Sequence, residues 1–305
     1  MAIDVIQVNS ISQVHQSLGL AKPKHPLVSV VYTKDIQALS DFKNVRVINN
    51  LYQISLKSPN LCGRLQYGKN IYDYEEGTLI FISPGQVTEY DGEFEAANDT
   101  EGWTLVFHPD LIRKSDLATK INQYSFFHYD VNEALHLSDE EKNTIEDILD
   151  KIVKEYSQKL DRHSQHLIIS NIELLLDYCS RFYDRQFYTR TNLNSDFVSK
   201  FERSLREYYQ TEKVNELGIP SVHYFGSKLN LSPNYLSDLL KKETGKTAKE
   251  HIHLFIIERA KNSLLNTTHS ISEIGYDLGF EYPQHFSNLF KSKTGYSPKE
   301  FRHLN

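Results

Sequence analysis

The spacing of apolar positions changes once along the chain. From about Val28 to His108 they come as short β-type runs, among them Leu27–Tyr32, Leu51–Leu56, Thr78–Ile82 and Trp103–Phe107. Turn residues at Ser58-Pro59-Asn60, Glu75-Glu76-Gly77, Ser83-Pro84-Gly85 and Asp91-Gly92 separate them. Short strands at this spacing predict a β-sandwich or small barrel. From Ser138 the period becomes helical. Ser138-x-x-Glu141 is a capping box, followed by Ile145, Ile148, Leu149, Ile152, Tyr156 and Leu160 on one stripe. A second stripe holds Ile168, Ile172, Leu175, Leu176, Cys179 and Phe182, so two helices joined by Asp161-Arg162-His163-Ser164 predict an antiparallel hairpin. Its apolar stripes suit either docking on the β unit or pairing with a second subunit. Asp184 to Asp196 is polar and aperiodic apart from Phe187-Tyr188 and reads as a linker; a helix over about 194–210 follows, with Phe197, Phe201, Leu205 and Tyr208 on one face.

The last third holds one pattern twice. Val222-x-x-Phe225-Gly226-x-x-Leu229, a turn, and Leu236-Ser237-x-Leu239-Leu240-Lys241-x-x-Thr244-Gly245 form the first copy. Ile271-x-x-Ile274-Gly275-x-x-Leu278, a turn, and Phe286-Ser287-x-Leu289-Phe290-Lys291-x-x-Thr294-Gly295 form the second. The offset is 49 through the first helix and 50 through the second, which puts one added residue in the turn. Gly226 and Gly275 are expected to let the second helix approach the first, since a mid-helix Gly otherwise costs about 1 kcal/mol relative to Ala. Ser232-Pro233 and Pro283 suit helix starts, and Gly245 and Gly295 suit helix ends. Between the copies, Ala248 to Leu265 reads as one helix of about 27 Å, near the roughly 34 Å between successive major-groove faces.

Composition adds limits. The chain has 305 residues, enough for two domains, with no apolar run of membrane length and no signal-peptide start, and is expected to be cytoplasmic. Cys62 and Cys179 are the only cysteines, so no disulfide framework or zinc site is indicated. The net charge of -6 divides unevenly: residues 1–194 carry -8 and residues 195–305 carry +2. The second part is only mildly basic, and a DNA argument must rest on where its cations sit. Lys241, Lys242, Lys246, Lys291 and Lys293 fall at the C-terminal ends of the second helices of the two copies, where they suit the helix dipole and DNA phosphates. The plain alternative is an all-α bundle of duplicated helix pairs; lysines at equivalent places in both copies favour DNA.

Ile271–Phe280, followed by His285-Phe286-Ser287-x-x-Phe290-Lys291 and by Gly295-Tyr296-Ser297-Pro298-x-Glu300-Phe301-Arg302, resembles the signature of the AraC/XylS family of bacterial transcription regulators. The resemblance covers about Val222 to Arg302 and departs in having Gly, not Ala, at 226 and 275. It implies that Asn234, Ser237 and Asp238 of the first copy and Gln284, His285, Ser287 and Asn288 of the second face DNA bases. Family members often carry Arg where Asp238 and Asn288 stand, so adenine reading by Asn or Gln and a cytosine contact by Asp are expected instead of guanine. Asp238 is equally suited to an ion pair with Lys241 or Lys242. The copies differ at these positions, which implies an asymmetric site.

Gly63–Gly68, Tyr72–Gly77 and Ser83–Gln86 resemble the strand-and-turn pattern of the cupin-like sensor domains attached to many such regulators. Catalytic cupins hold a metal with a His-x-His pair, a Glu and a distant His; no His-x-His precedes residue 195, so no metal, cofactor or catalytic residue is expected. His108, before Pro109-Asp110, suits a cap or core role. Tyr52, Tyr67, Tyr72, Tyr74, Phe81 and Trp103 suit either a barrel core or the lining of a ligand pocket. The fold expectation is α+β: a cupin-like sandwich or barrel with a helical hairpin over 1–184, a linker over 185–195, and an all-α double helix-turn-helix domain over 196–305. The functional expectation is a sequence-specific regulator that binds double-stranded DNA as a homodimer, responds to a small-molecule effector and, if an activator, meets RNA polymerase. The alternatives are a cupin-type metal-dependent isomerase or dioxygenase and a DNA binder that bends without discriminating.

Overall fold

The capping box at Ser138 is present as read: its hydroxyl accepts from the Glu141 N–H, and Glu141 reaches back to the Ser138 N–H. The structure, a computed structural model, describes residues 4–36, 45–57, 77–90, 102–130, 133–189, 191–211 and 213–303. The chain divides into two units, Met1–Tyr188 and Thr189–Asn305.

The first unit is built on two sheets. Strands β1 (Asp4–Val8), β3 (Val45–Asn49) and β6 (Gln86–Tyr90) form one, with β1 parallel and β6 antiparallel to β3. Strands β2 (Val28–Tyr32), β4 (Tyr52–Lys57), β5 (Thr78–Ile82), β7 (Trp103–Phe107) and β8 (Leu135–His136) form the other, in the order β2-β7-β4-β5-β8 with every pair antiparallel. Four of these strands fall where the apolar runs predict them. Strands β1, β3 and β6 lie outside those runs, and β6 follows directly on the turn read at Ser83-Pro84-Gly85. Val8 and Val47 from the smaller sheet share a core with Val31 and Val106 from the larger, closed at one end by Ile11 and Val14 of helix α1 (Ile11–Ser17).

The opposite face of the larger sheet is apolar too. The register puts Tyr52 beside Phe107, Ile54 beside Phe81 and Leu105, and Leu56 beside Leu79 and Trp103. The short helices α2 (Pro109–Ile112) and α3 (Leu117–Lys120) and 3-10 turns over 121–128 follow β7 and bring Phe126 and Phe127 onto Phe81. His108 caps α2 by accepting from the Asp110 N–H. Helix α4 (Asp139–Ser157) buries Ile145, Ile148, Leu149, Ile152 and Tyr156, whose hydroxyl accepts from the Val30 N–H. Helix α5 (Ser164–Thr189) buries Ile168, Ile172, Leu175, Leu176, Cys179 and Phe182. Both stripes thus face the core except Leu160, which lies beyond α4 and is exposed, and burial pushes the Cys179 thiol pKa up, as befits an inert packing residue.

The boundary between the two units falls within the stretch read as a linker over 185–195, but that stretch is largely helical. Residues 185–189 complete α5, and α6 (Thr191–Gln210) opens at 191. The polar side chains that suggested a linker are tied down inside the first unit. Arg185 forks onto both carboxylate oxygens of Glu141 at 2.7 and 2.8 Å and donates to the His136 carbonyl. Gln186, 2% exposed, donates to the Ala134 carbonyl and accepts from the His136 N–H. Phe187 is buried as well.

The second unit is helical throughout. After α6 come α7 (Lys213–Leu217), α8 (Val222–Leu229), α9 (Pro233–Thr244), α10 (Ala248–Asn266), α11 (Ile271–Asp277), α12 (Pro283–Thr294) and α13 (Pro298–His303). Phe201, Leu205, Tyr208 and Tyr209 of α6, Phe225 of α8, Leu236 and Leu240 of α9, Ile252 and Ile256 of α10, and Phe286 and Phe290 of α12 share one core. Among the described residues, no helix is long and apolar enough to cross a membrane.

Candidate nucleic-acid interface

Each copy is assembled by punctuation that the sequence supplies. Ser221 caps α8 and Ser232 caps α9, each accepting from the N–H three residues on, and Pro233 occupies the first turn of α9. Asn230 closes α8 in the left-handed region at φ 56°, so the turn is short and sharp. Gly245 and Gly295 close α9 and α12 at φ 75° and 82°, donating to the Lys241 and Lys291 carbonyls. Pro283 opens α12 as Pro233 opens α9.

The duplication reaches past α9 and α12 to single atoms. The Thr244 hydroxyl donates to the Leu240 carbonyl and accepts from the Lys246 N–H; the Thr294 hydroxyl does the same with Phe290 and Tyr296. Thr247 with Glu250, and Ser297 with Glu300, then form reciprocal caps for α10 and α13. This alignment shows two lysines not singled out from the sequence, Lys249 and Lys299, exposed at the same place of each copy. Their 50-residue offset was the signal that would have found them.

The two glycines of the first helices turn out unequal. A Cβ on Gly226 would stand 2.6 Å from the Leu231 carbonyl oxygen, a backbone atom that cannot yield cheaply. At Gly275 the nearest atoms, on Phe286, lie at 3.5 Å, an ordinary contact. The packing role read for both glycines therefore holds at Gly226 only.

Most of the residues offered for base reading reach the surface. Asn234, Gln284, His285 and Asn288 are exposed, and Ser237, Asp238 and Ser287 are half-buried. The five lysines offered for phosphate, Lys241, Lys242, Lys246, Lys291 and Lys293, are all exposed. Charges from both copies meet around the first turn of α10. The Glu250 carboxyl is held below its usual range first by the Thr247 backbone N–H and hydroxyl, then by the charges of Lys293 and Lys241. His253 on the same helix is held down by burial and by Lys249 and Lys293. Helix α10, 19 residues long, spans roughly 28 Å at 1.5 Å per residue.

Residues 226–303 match the model of a helix-turn-helix domain. Within the second unit, α8 to α13 thus hold a helix-turn-helix domain. The chain is 33% identical over 95 residues to an uncharacterized HTH-type transcriptional regulator in the cgkA 5' region of Pseudoalteromonas carrageenovora, covering 31% of this chain and 54% of that one. It is 37% identical over 94 residues to the uncharacterized transcriptional regulatory protein YesN of Bacillus subtilis, covering 29% and 26%. With the Msm operon regulatory protein of Streptococcus mutans the identity is 38% over 107 residues, covering 35% and 36%. The aligned part therefore spans between about a quarter and a half of these relatives' lengths.

In the first unit, Tyr52, Phe81 and Trp103 lie on the helix-covered face of the larger sheet. Tyr52 stacks on Phe107 at 5.0 Å, and Phe81 contacts Phe126, Phe127 and Tyr183. Phe81 and Trp103 are buried, at 5% and 4% exposed. Tyr67, Tyr72 and Tyr74 lie outside the described residues, as does Cys62. Among the described residues, no three His, Cys, Asp or Glu side chains converge as a metal ion would need.

Proposed function

We propose that this chain is a sequence-specific DNA-binding transcription regulator whose first unit dimerises, responds to a small-molecule effector, or does both. The observation that carries this reading is the pair of recognition helices, α9 and α12. Each begins at a proline, ends at a left-handed glycine, carries exposed or half-buried polar residues in its first half and exposed lysines in its second. The N-terminal residues of such a helix meet base edges in the major groove, and lysines beyond them meet phosphates. On this reading Asn234, Ser237 and Asp238 read one part of the site, and Gln284, His285, Ser287 and Asn288 read another. Lys241, Lys242, Lys246, Lys291 and Lys293 hold the backbone, and Lys249 and Lys299 extend that row. The two sets of reading residues differ, which fits an asymmetric operator.

The dimerising role has its own support. Helix α5 leaves Leu167 and Leu174 exposed at 44% and 42%, two turns apart on one face, while Lys120 and Tyr124 grip Glu173 and Asp177 beside them. Two exposed leucines on a helix whose other face is fully packed suit a second copy of the same helix. The cupin-like reading of the first unit is supported by its two sheets with a shared core. RNA polymerase becomes a partner if the regulator activates.

The test is selection from random double-stranded DNA with the full chain, followed by footprinting on the selected sequence. A protected site of about two helical turns per chain is expected, binding more weakly as salt rises. Failure to enrich any sequence, with or without candidate metabolites, overturns the reading.

A further inference from the structure

The two recognition helices start differently. Ser232 precedes Pro233 in the first copy, and the aligned residue before Pro283 in the second is Tyr282. The starts of α8, α9, α10, α11 and α13 each have a Ser or Thr hydroxyl accepting a backbone N–H. Tyr282 makes no such bond, so α12 forgoes the cap its sister helix has. The phenol ring is 50% exposed, and it meets the His285 imidazole edge-on with centroids 5.5 Å apart. The Tyr282 carbonyl also accepts from the His285 N–H at 3.0 Å. The counterpart of His285 in the first copy, Tyr235, is buried, so this exposed aromatic pair has no equivalent there.

From this pair we infer that Tyr282 is a specificity-determining residue, with its ring packed against a thymine methyl in the half of the site read by α12 and holding His285 for its own base contact. The inference rests on the DNA-binding reading above. The residues that open a recognition helix are those that reach base edges. In the major groove the thymine C5 methyl is the only apolar group a base pair presents, so an exposed ring at that end has one natural partner. A serine there would cap the helix better, and the contact with His285 still leaves half of Tyr282 exposed for a partner outside the chain.

The experiment compares wild type, Tyr282→Ser and Tyr282→Phe by selection from random DNA, with thermal melting of each protein. Tyr282→Ser is expected to melt higher, because it restores the cap, and to lose a thymine preference of about tenfold at one position in the α12 half of the motif, the half read by α9 being unchanged. Tyr282→Phe keeps the ring and should keep the preference. Replacing that thymine by uracil, which lacks the methyl, should weaken wild type by a similar factor and leave Tyr282→Ser unaffected. A Tyr282→Ser motif identical to wild type overturns the inference, as does loss of the preference in Tyr282→Phe. If wild type enriches nothing, the DNA-binding reading fails instead.

Discussion

At the scale of single residues, the clearest asymmetry is between Gly226 and Gly275. Gly226→Ala drives a methyl onto the Leu231 carbonyl and should destabilise the second unit by roughly 1–3 kcal/mol. Gly275→Ala meets only ordinary contacts and should be neutral or gain up to about 1 kcal/mol of helix propensity. Denaturant midpoints of the two variants should therefore move in opposite directions, or the second should not move. His251 and His253 on α10 are half-buried, and burial lowers both from the ordinary 6.5, outweighing the carboxylates of Glu202 and Glu250 at His251 and of Glu250 at His253. The fold thus prefers both imidazoles neutral. As pH falls through 6.5 the unfolded chain takes up protons that the folded chain refuses, so the stability these groups contribute is full above 6.5 and declines below it. Melting between pH 7.5 and 5.5 should show the decline, and His251→Gln, whose amide can still donate to the Thr244 hydroxyl, should reduce it.

Among elements, those with strong punctuation were legible and those held by buried polar contacts were not. Ser232-Pro233, Gly245, Pro283 and Gly295 place both recognition helices to the residue, and Ala248 opens α10 where the periodicity puts it. The same local rules miss the end of α5. Arg185 and Gln186 read as solvent-facing polar residues, yet their partners Glu141, His136 and Ala134 lie more than 40 residues away, which no local pattern reports. Strand β6 is missed for a related reason: Gln86-Val87-Thr88-Glu89-Tyr90 is mostly polar, and its pairing with β3 supplies what its composition does not. Phe81 and Trp103 are buried, and which face of the sheet they occupy follows only from register. Arg185→Ala should strip the bidentate partner from Glu141, whose side chain is only 12% exposed. A loss of roughly 1.5–3 kcal/mol is expected, with faster amide exchange over the last turns of α5.

For the molecule as a whole, the uneven charge has a measurable consequence. With a net charge of only +2 beyond residue 194, the proposed DNA binding depends on placed lysines and not on a general field. Lys241→Ala and Lys291→Ala should each weaken binding to every sequence and lower the slope of log affinity against log salt by about 1, whereas Gln284→Ala should relax one base preference and leave that slope alone. The exposed leucines of α5 bear on assembly. Leu167→Glu with Leu174→Glu should leave melting nearly unchanged and shift sedimentation to a monomer; an unchanged dimer would place the interface elsewhere.

Gly218 and Gly279 hold a further consequence. Both are left-handed, at φ 73° and 90°, and a Cβ on Gly279 would stand 2.7 Å from the Gly218 carbonyl carbon. The segment leading into the first repeat is thus pressed, backbone to backbone, on the turn of the second, and the Tyr209 hydroxyl donates to the adjoining Leu278 carbonyl. Ancestry may be read from two copies, but autonomy cannot: neither repeat has kept a complete boundary of its own. A chain cut at 267–269 should yield two fragments that fold only when mixed, and an exchange of one repeat with another protein would have to carry both glycines across together.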